Sequence, residues 1–244
     1  MATPRFFCPE GLAPDITLDL PDALSHYAAR VLRMKHGAPV VLFDGRGGEY
    51  PGHLDIDGKR TRARLGAFHP REAELAGELT LVQGLPSADK MDWIIEKAVE
   101  LGVKRVVPIA ADRSVLQLTG ERRDKRLAHW RRVAESASEQ CGRNRIMQID
   151  APLPLKQWLA LPANGLRLMC HPQADATLRG TLADRPDRVT LIVGPEGGWS
   201  DSEMALTRSG ADRLVTVQWG TRVLRTETAG LALAAACTAL LDWA

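Results

Sequence analysis

An α/β fold with a mostly parallel sheet and helices on both faces, preceded by a small β-barrel, is what these 244 residues predict. Three observations carry that expectation. The first third alternates apolar and polar residues between glycine-rich turns. From residue 78 onward, short apolar runs alternate with amphipathic stretches. One of those runs ends in a glycine-cradled turn that opens a capped helix.

In chain order, DALSHYAARVLRMKHG reads as a short helix with a basic edge of His26, Arg30, Arg33 and Lys35. VVLFDGRGGEYPGHLDID and TRARLGAF carry the period-two pattern of half-buried strands. Residues 1–72 are therefore expected to form the barrel, with HPREAELAG as a linker and 73–244 as the second domain. There ELTLVQGL is a strand, and ADKMDWIIEKAVELGV is a helix with Met91, Ile94, Ile95, Ala98 and Leu101 on one face. KRVVPIA is the next strand. A long helix follows, from an N-cap at Thr119 to a stop at Gly142. IMQID, LRLMC, RVTLIVG and ADRLVTVQW are further strands, and TETAGLALAAACTALLDW is the closing helix.

Composition sets the class. Apolar content of 45% and charged content of 25% are those of an ordinary globular protein, and no apolar run approaches the roughly 20 residues of a membrane span. MATPRFFCPEG lacks a secretory pattern. Cys8, Cys141, Cys170 and Cys237 lie far apart, with no C-x-x-C pair and no clustered histidines. No metal site and no disulfide framework is expected, and a reducing cytoplasm fits best. The net charge of +2 points to no partner by itself.

GPEGGWSDSE, residues 194–203, carries the first chemical signal. It follows an apolar run suited to a central parallel strand, and Ser200 to Glu203 matches the S-x-x-E capping box, with Gly210 as the helix stop. Strand, glycine turn and helix N-terminus together mark the place where open α/β sheets bind ligands. A bare connection in which Gly197 and Gly198 only supply positive φ would look the same. No G-x-x-x-x-G-K-[ST] occurs, and no G-x-G-x-x-G follows a strand, so neither a P-loop nor a Rossmann fingerprint is present.

QWGTRVLRTETAGLALAAAC, residues 218–237, places Arg222 and Arg225 just before a helix. Thr226 reads as its N-cap, and Glu227 suits the positive end of the helix dipole. That helix is small and apolar on nearly every side, which predicts burial all round against a loop or a second subunit. SASEQCGRNRI, residues 136–146, ends the most basic helix of the chain. Its Arg143-Asn144-Arg145 falls beyond the helix stop, where loop arginines suit phosphate and base-edge contacts.

GPEGGWSDSE, GTRVLRTETA, EKAVELGV and SEQCGRNRI, taken together and in this chain, resemble the RsmE family of ribosomal RNA methyltransferases, of the SPOUT superfamily. HYAARVLRMKHG followed by VVLFDGRGGEY is similar to that family's PUA-like barrel, so the resemblance covers essentially the whole chain. One departure is Met147, where many members carry proline.

The resemblance implies a deep trefoil knot, a feature that no periodicity would disclose. It also implies a homodimer and an S-adenosylmethionine pocket walled by His171, Gly194, Pro195, Glu196, Gly197, Gly198, Gly220, Leu224, Arg225 and Thr226. The implied reaction is methyl transfer to N3 of a uridine in 16S rRNA, within the assembled small subunit. Arg225, with Arg143 as second choice, is the candidate cation for the ring, and Glu196 or Glu227 the candidate base. Arg30, Arg33, Lys35, Arg143, Asn144 and Arg145 are the candidate RNA contacts, with Arg60, Arg62 and Arg64 beside them on the barrel. The rival expectation is an RNA-binding ribosome-assembly module on a decayed methyltransferase scaffold.

Overall fold

The computed structural model describes residues 3–57, 60–208 and 214–244. The chain divides into two compact units, Met1–Glu74 with Glu135–Ile146, and Leu75–Ala134 with Met147–Ala244.

The first unit is built on strands β1 (Arg5–Phe7), β2 (Thr17–Asp19), β3 (Pro39–Phe43), β4 (Tyr50–Asp57) and β5 (Arg60–Leu65), in the order β1-β3-β4-β5-β2. All pairs are antiparallel except β1 with β3. The alternation read from the sequence is realised on β5. Thr61, Ala63 and Leu65 turn inward, while Arg60, Arg62 and Arg64 face water. The core gathers Phe6, Leu42, Leu54, Ala63 and Leu65 around Ala28. Ala28 belongs to a helix that starts as α1 (Asp22–His26) and continues as a π-helical turn over Tyr27–Val31. It ends before MKHG because Arg33 adopts a left-handed φ of 52°.

The second unit holds seven strands: β6 (Glu78–Gly84), β7 (Arg105–Ile109), β8 (Gln148–Ile149), β9 (Leu166–Cys170), β10 (Ala176–Thr177), β11 (Arg188–Val193) and β12 (Leu214–Gln218). They run in the order β10-β12-β9-β11-β6-β7-β8, and every pair is parallel. Central β11 is buried over Val189–Val193, which is why RVTLIV reads as a continuous apolar run. Its neighbours β6 and β9 both precede it in the chain, so β11 enters a gap between strands made earlier.

The helices are α2 (Lys90–Glu100), α3 (Gly120–Cys141), α4 (Leu155–Leu159), α5 (Leu178–Thr181), α6 (Asp201–Arg208) and α7 (Thr226–Leu241). On α2, Met91, Ile94, Ile95, Ala98 and Val99 are buried; each large one contributes about 1.5–3 kcal/mol. Leu101, expected on that face, stands at the helix's C-cap instead. Gly142, at φ 86°, ends α3 as expected, and the residues of α3 from Glu135 on belong to the first unit. Gly210 lies outside the described residues.

The closing helix α7 departs from the expectation of burial all round. Gly230, Leu231, Leu233, Ala234 and Cys237 are buried, but Thr228, Ala235 and Ala239 are exposed. Small side chains serve the inner face by letting backbone come close. A Cβ at Gly230 would meet a Leu81 methyl of β6 at 2.8 Å.

Candidate active site

Three loops at the carboxyl ends of adjacent strands enclose a cavity of about 460 Å³ in the second unit. Cys170 ends β9 and His171 and Pro172 follow it; Gly194, Pro195, Glu196, Gly198 and Trp199 follow β11; the stretch from Trp219 to Glu227 leads from β12 into α7. All the residues expected to wall a cofactor pocket line this cavity except Gly197, which turns toward Arg113: a Cβ there would meet Arg113 Cβ at 2.9 Å.

The turn after β11 is fixed by sequence-local chemistry and by one close backbone pass. Ser200 N–H donates to Glu203 Oε2 at 2.8 Å, and Glu203 N–H donates to Ser200 Oγ at 3.2 Å, so the capping box forms as read. Glu203 also accepts from Asp112 N–H at 3.1 Å, which ties the loop after β7 to the start of α6. At the end of β6, a Cβ on Gly84 would strike Pro195 at 2.5 Å. Only glycine lets the strand pass under the turn.

Thr226 is not the N-cap that the sequence suggests. Arg225 holds that place with extended dihedrals, and Thr226 is the first helical residue, 6% exposed. Its hydroxyl donates to Gly194 O at 2.5 Å and accepts from Gln83 Nε2 at 2.9 Å. Gln83, fully buried on β6, thus joins the sheet, the glycine turn and the start of α7 in one relay. Nothing local marks it, because a glutamine inside ELTLVQGL looks like an ordinary strand residue.

Glu196 is heavily engaged. Its carboxylate accepts from Ser87 N–H (3.0 Å), Ser87 Oγ (2.7 Å) and Lys90 Nζ (2.8 Å). Burial alone would raise its pKa, but the hydrogen bonds from Lys90 and Ser87 outweigh it and bring the group down to about 2. A carboxylate held so far below neutrality is a poor proton acceptor. Glu227 differs. Lys90 Nζ stands 3.5 Å from its Oε2, an ion-pair distance, yet that oxygen is buried in the cavity wall without a hydrogen-bond partner. Trp199 Nε1 is a second buried polar atom of the lining with no partner among the described residues.

Lys90, which bridges the two glutamates, is the functional residue that the sequence reading missed. One signal was available: it is the first residue of α2, where the positive end of the helix dipole disfavours a cation. Arg222 and Arg225 also line the cavity, are exposed, and enter no ion pair among the described residues.

Arg143 and Asn144 are not offered to solvent as their loop position suggests. Arg143 is 3% exposed and grips Glu74 through Nε (2.9 Å) and Nη2 (2.6 Å). Asn144 is fully buried; it donates to Glu49 and to Arg71 O, and accepts from Arg5. Their polar atoms are committed inside the first unit. Arg145 keeps an outward side chain, with Glu72 at 3.2 Å. Arg30, Arg33 and Lys35 are exposed on the same unit and enter no ion pair among the described residues, as are Arg60, Arg62 and Arg64, of which Arg62 pairs with Asp55. No group of three or more His, Cys, Asp or Glu among the described residues could hold a metal, and no helix there is long and apolar enough to cross a membrane.

Comparison with known proteins gives the family of both units. A family described as an RNA methyltransferase domain matches residues 73–238, and one described as an RNA methyltransferase PUA domain matches 20–65. The ribosomal RNA small subunit methyltransferase E of Synechocystis sp. is 30% identical over 93% of this chain and 75% of its own length. Its counterpart in Mycobacterium tuberculosis is 33% identical, over 83% of this chain and 79% of its own. Among solved structures, the Neisseria gonorrhoeae ribosomal RNA small subunit methyltransferase E bound to S-adenosyl methionine is 33% identical, with a TM-score of 0.89 over 98% of both chains. A Legionella pneumophila methyltransferase in complex with the cofactor SAM is 30% identical, with a TM-score of 0.91 over 98% of both.

Proposed function

The chain belongs to the RNA methyltransferase family of small-subunit type E, and on that premise we propose that it transfers a methyl group from S-adenosylmethionine to N3 of an unpaired uridine in 16S ribosomal RNA. One observation carries the reading. All the expected wall residues but Gly197 line one cavity, which also holds Glu227, paired with Lys90 at 3.5 Å, and two arginines in no ion pair among the described residues.

The lining fits the donor. Its volume lies within the range of small-molecule sites, and its apolar side chains Val193, Met204, Trp219 and Leu224 suit a purine. The glycine turn supplies backbone polar contacts without a phosphate cradle. The donor supplies an electrophilic methyl group.

Uracil N3 carries a proton and is a weak nucleophile until that proton leaves. Glu227, in the cavity wall and bound less closely by Lys90 than Glu196 is, is the candidate to accept it, and Arg225 to stabilise the charge that then spreads over the ring oxygens. Glu196 acts as a brace for the turn, with Lys90 and Ser87 as its anchors. Because N3 lies on the pairing edge, the target base must be single-stranded or flipped out.

The barrel of residues 1–72 is the RNA-gripping domain in this reading and 73–244 the catalytic one, with Arg30, Arg33, Lys35 and Arg145 on phosphates. The insertion of β11 between β6 and β9 is in keeping with a trefoil knot. In this reading the chain is a cytoplasmic homodimer acting on the assembled subunit; the exposed alanines of α7 and the half-exposed Trp93 of α2 support the dimer. The test is methylation of small subunits purified from a strain that lacks the enzyme, with the product base mapped. A single N3-methyluridine that needs both protein and donor is expected; absence of methylation, with no thermal shift at saturating donor, would favour the binding-module reading.

A further inference from the structure

The second unit has another cavity, of about 120 Å³, at the amino ends of its strands and so at the opposite edge of the sheet from the methyl-transfer cavity. Strand register explains its lining. Arg167 of β9, Thr190 of β11, Thr80 of β6 and Arg105 of β7 are successive cross-strand partners, so they form one row on one face of the sheet. Two residues further along each strand, the same face carries Met169, Ile192, Val82 and Val107, all buried in a hydrophobic cluster. Two arginines and two threonines are thus set directly against that cluster, where apolar side chains would serve the fold.

The row is rich in donors, and the acceptors beside it are taken. Arg167 is 5% exposed; its guanidinium lies 4.5 Å from a Trp158 ring centroid, and its Nη2 donates to Leu161 O at 2.9 Å. Thr190 is 8% exposed, and neither its hydroxyl nor that of Thr80 makes a hydrogen bond among the described residues. Glu78, the carboxylate of the lining, accepts from Lys104 and pairs with Arg188 at 3.2 Å. Asn164 Oδ1 accepts from Arg188 at 2.7 Å. Arg105, at the exposed rim, is braced from outside the lining by Asp150 at 2.6 Å. Three arginines therefore face one carboxylate that is already engaged.

We infer that this cavity is a binding site for a small tetrahedral oxyanion, free inorganic phosphate, held by Arg167, Arg105 and the hydroxyls of Thr190 and Thr80. Liquid water takes roughly 30 Å³ per molecule, so the space is that of about four waters and suits the four oxygens of phosphate. It falls well short of the roughly 300 Å³ at which sites for larger small molecules begin, so a nucleotide does not fit. Guanidinium and hydroxyl donors are what phosphate oxygens recruit, and the ion brings the acceptors that the lining lacks. Bound there, it ties β9, β11, β6 and β7 together through their side chains. Strands β9 and β11 carry loops of the methyl-transfer cavity at their other ends, so the ion braces the sheet beneath that cavity without entering it. The inference does not depend on the methyl-transfer reading.

The test is calorimetry of the full-length protein with sodium phosphate at constant ionic strength, chloride making up the balance, with thermal unfolding followed alongside. One saturable phosphate per chain is expected, with a melting temperature that rises as the site fills. Thr190→Val removes the hydroxyl at a strand position that valine suits, so it should melt no lower than the parent in chloride. It should bind phosphate roughly tenfold or more weakly, the loss of one hydrogen bond to a charged group. Arg105→Gln at the rim should weaken phosphate to a similar extent. Affinity for S-adenosylmethionine should be the same in all three proteins. A melting temperature that climbs without saturating, equally in parent and variants, would be the general stabilising effect of phosphate salts and would overturn the site. So would phosphate binding abolished by S-adenosylmethionine, which would move the ion to the other cavity. Displacement of phosphate by a short RNA with hydroxyl ends would overturn the free ion in favour of a backbone phosphate. Phosphate binding as expected in a protein that fails to bind S-adenosylmethionine would strike the functional reading alone.

Discussion

Two glutamate-centred clusters, one in each unit, show what separates scaffold from active site. In the first unit, Glu49 is 8% exposed and accepts from Arg5 (2.6 Å), Asn144 (3.2 Å) and Arg71 (3.5 Å). Burial would raise its pKa, and those cationic and amide donors more than reverse the effect. Nearby, Arg143 and Glu74 complete each other in a fork. In the second unit, Lys90 is shared between Glu196 and Glu227, at 2.8 Å from the first and 3.5 Å from Oε2 of the second, and all three line the cavity. The first cluster is closed in on itself, with only Arg5 Nε lacking a partner among the described residues; the second lines the cavity, where its charges are open to whatever binds.

The sharpest way to break the contrast is Glu227→Gln. It keeps the shape of the side chain but removes the acceptor charge, and should lower turnover by about 10²–10⁴-fold while the protein still binds its donor. Calorimetry of the donor beside single-turnover methylation reads both quantities, and full turnover would class Glu227 with Glu49 as scaffold. Arg225→Ala comes next. A loss of roughly 10²–10³-fold in turnover with donor affinity largely intact is expected from removing a cation at a developing anion.

Arg143→Ala should act on the other side of the comparison, costing about 3 kcal/mol of stability in urea unfolding because Glu74 loses its buried partner. The folded fraction should keep its donor affinity. An unaltered unfolding midpoint with abolished turnover would move Arg143 out of the scaffold. The smallest effect concerns pH. Glu196 has its folded pKa depressed to about 2 from an ordinary 4.5, so the stability it contributes is full above about 4.5 and is lost as pH falls toward 2. Glu196→Gln should flatten the acid limb of the stability profile across that window. An acid limb identical to that of the parent would mean that the Lys90 and Ser87 contacts do not hold in solution.

The same contrast explains how much was legible beforehand. The capping box of Ser200 and Glu203, the glycine turn and the parallel strands were readable because each is set by neighbours a few residues apart. Most of the cavity wall followed from them and from the family likeness. Lys90 was not, since it meets Glu196 across 106 positions of sequence. Arg143 and Asn144 look like a surface loop until Glu74, Glu49 and Arg5 are brought to them, and nothing local announces those partners. Thr226 failed differently: a hydroxyl before an apolar helix reads as a cap, but two distant groups, Gln83 and Gly194, compete for it.

The placement of β11 has a consequence for how the chain is made. Strands β6 and β9 leave the ribosome before the one that divides them. A nascent chain released at residue 187 would own one unsated edge on β6 and, in β9, a strand with neither of its partners, since β11 and β12 both follow it. Left alone, they would zip together in the wrong partnership. Assembly therefore depends on the late arrival of a hexapeptide, RVTLIV, to join β9 to the strands already made, and chains stalled before it should be the ones that aggregate or are degraded.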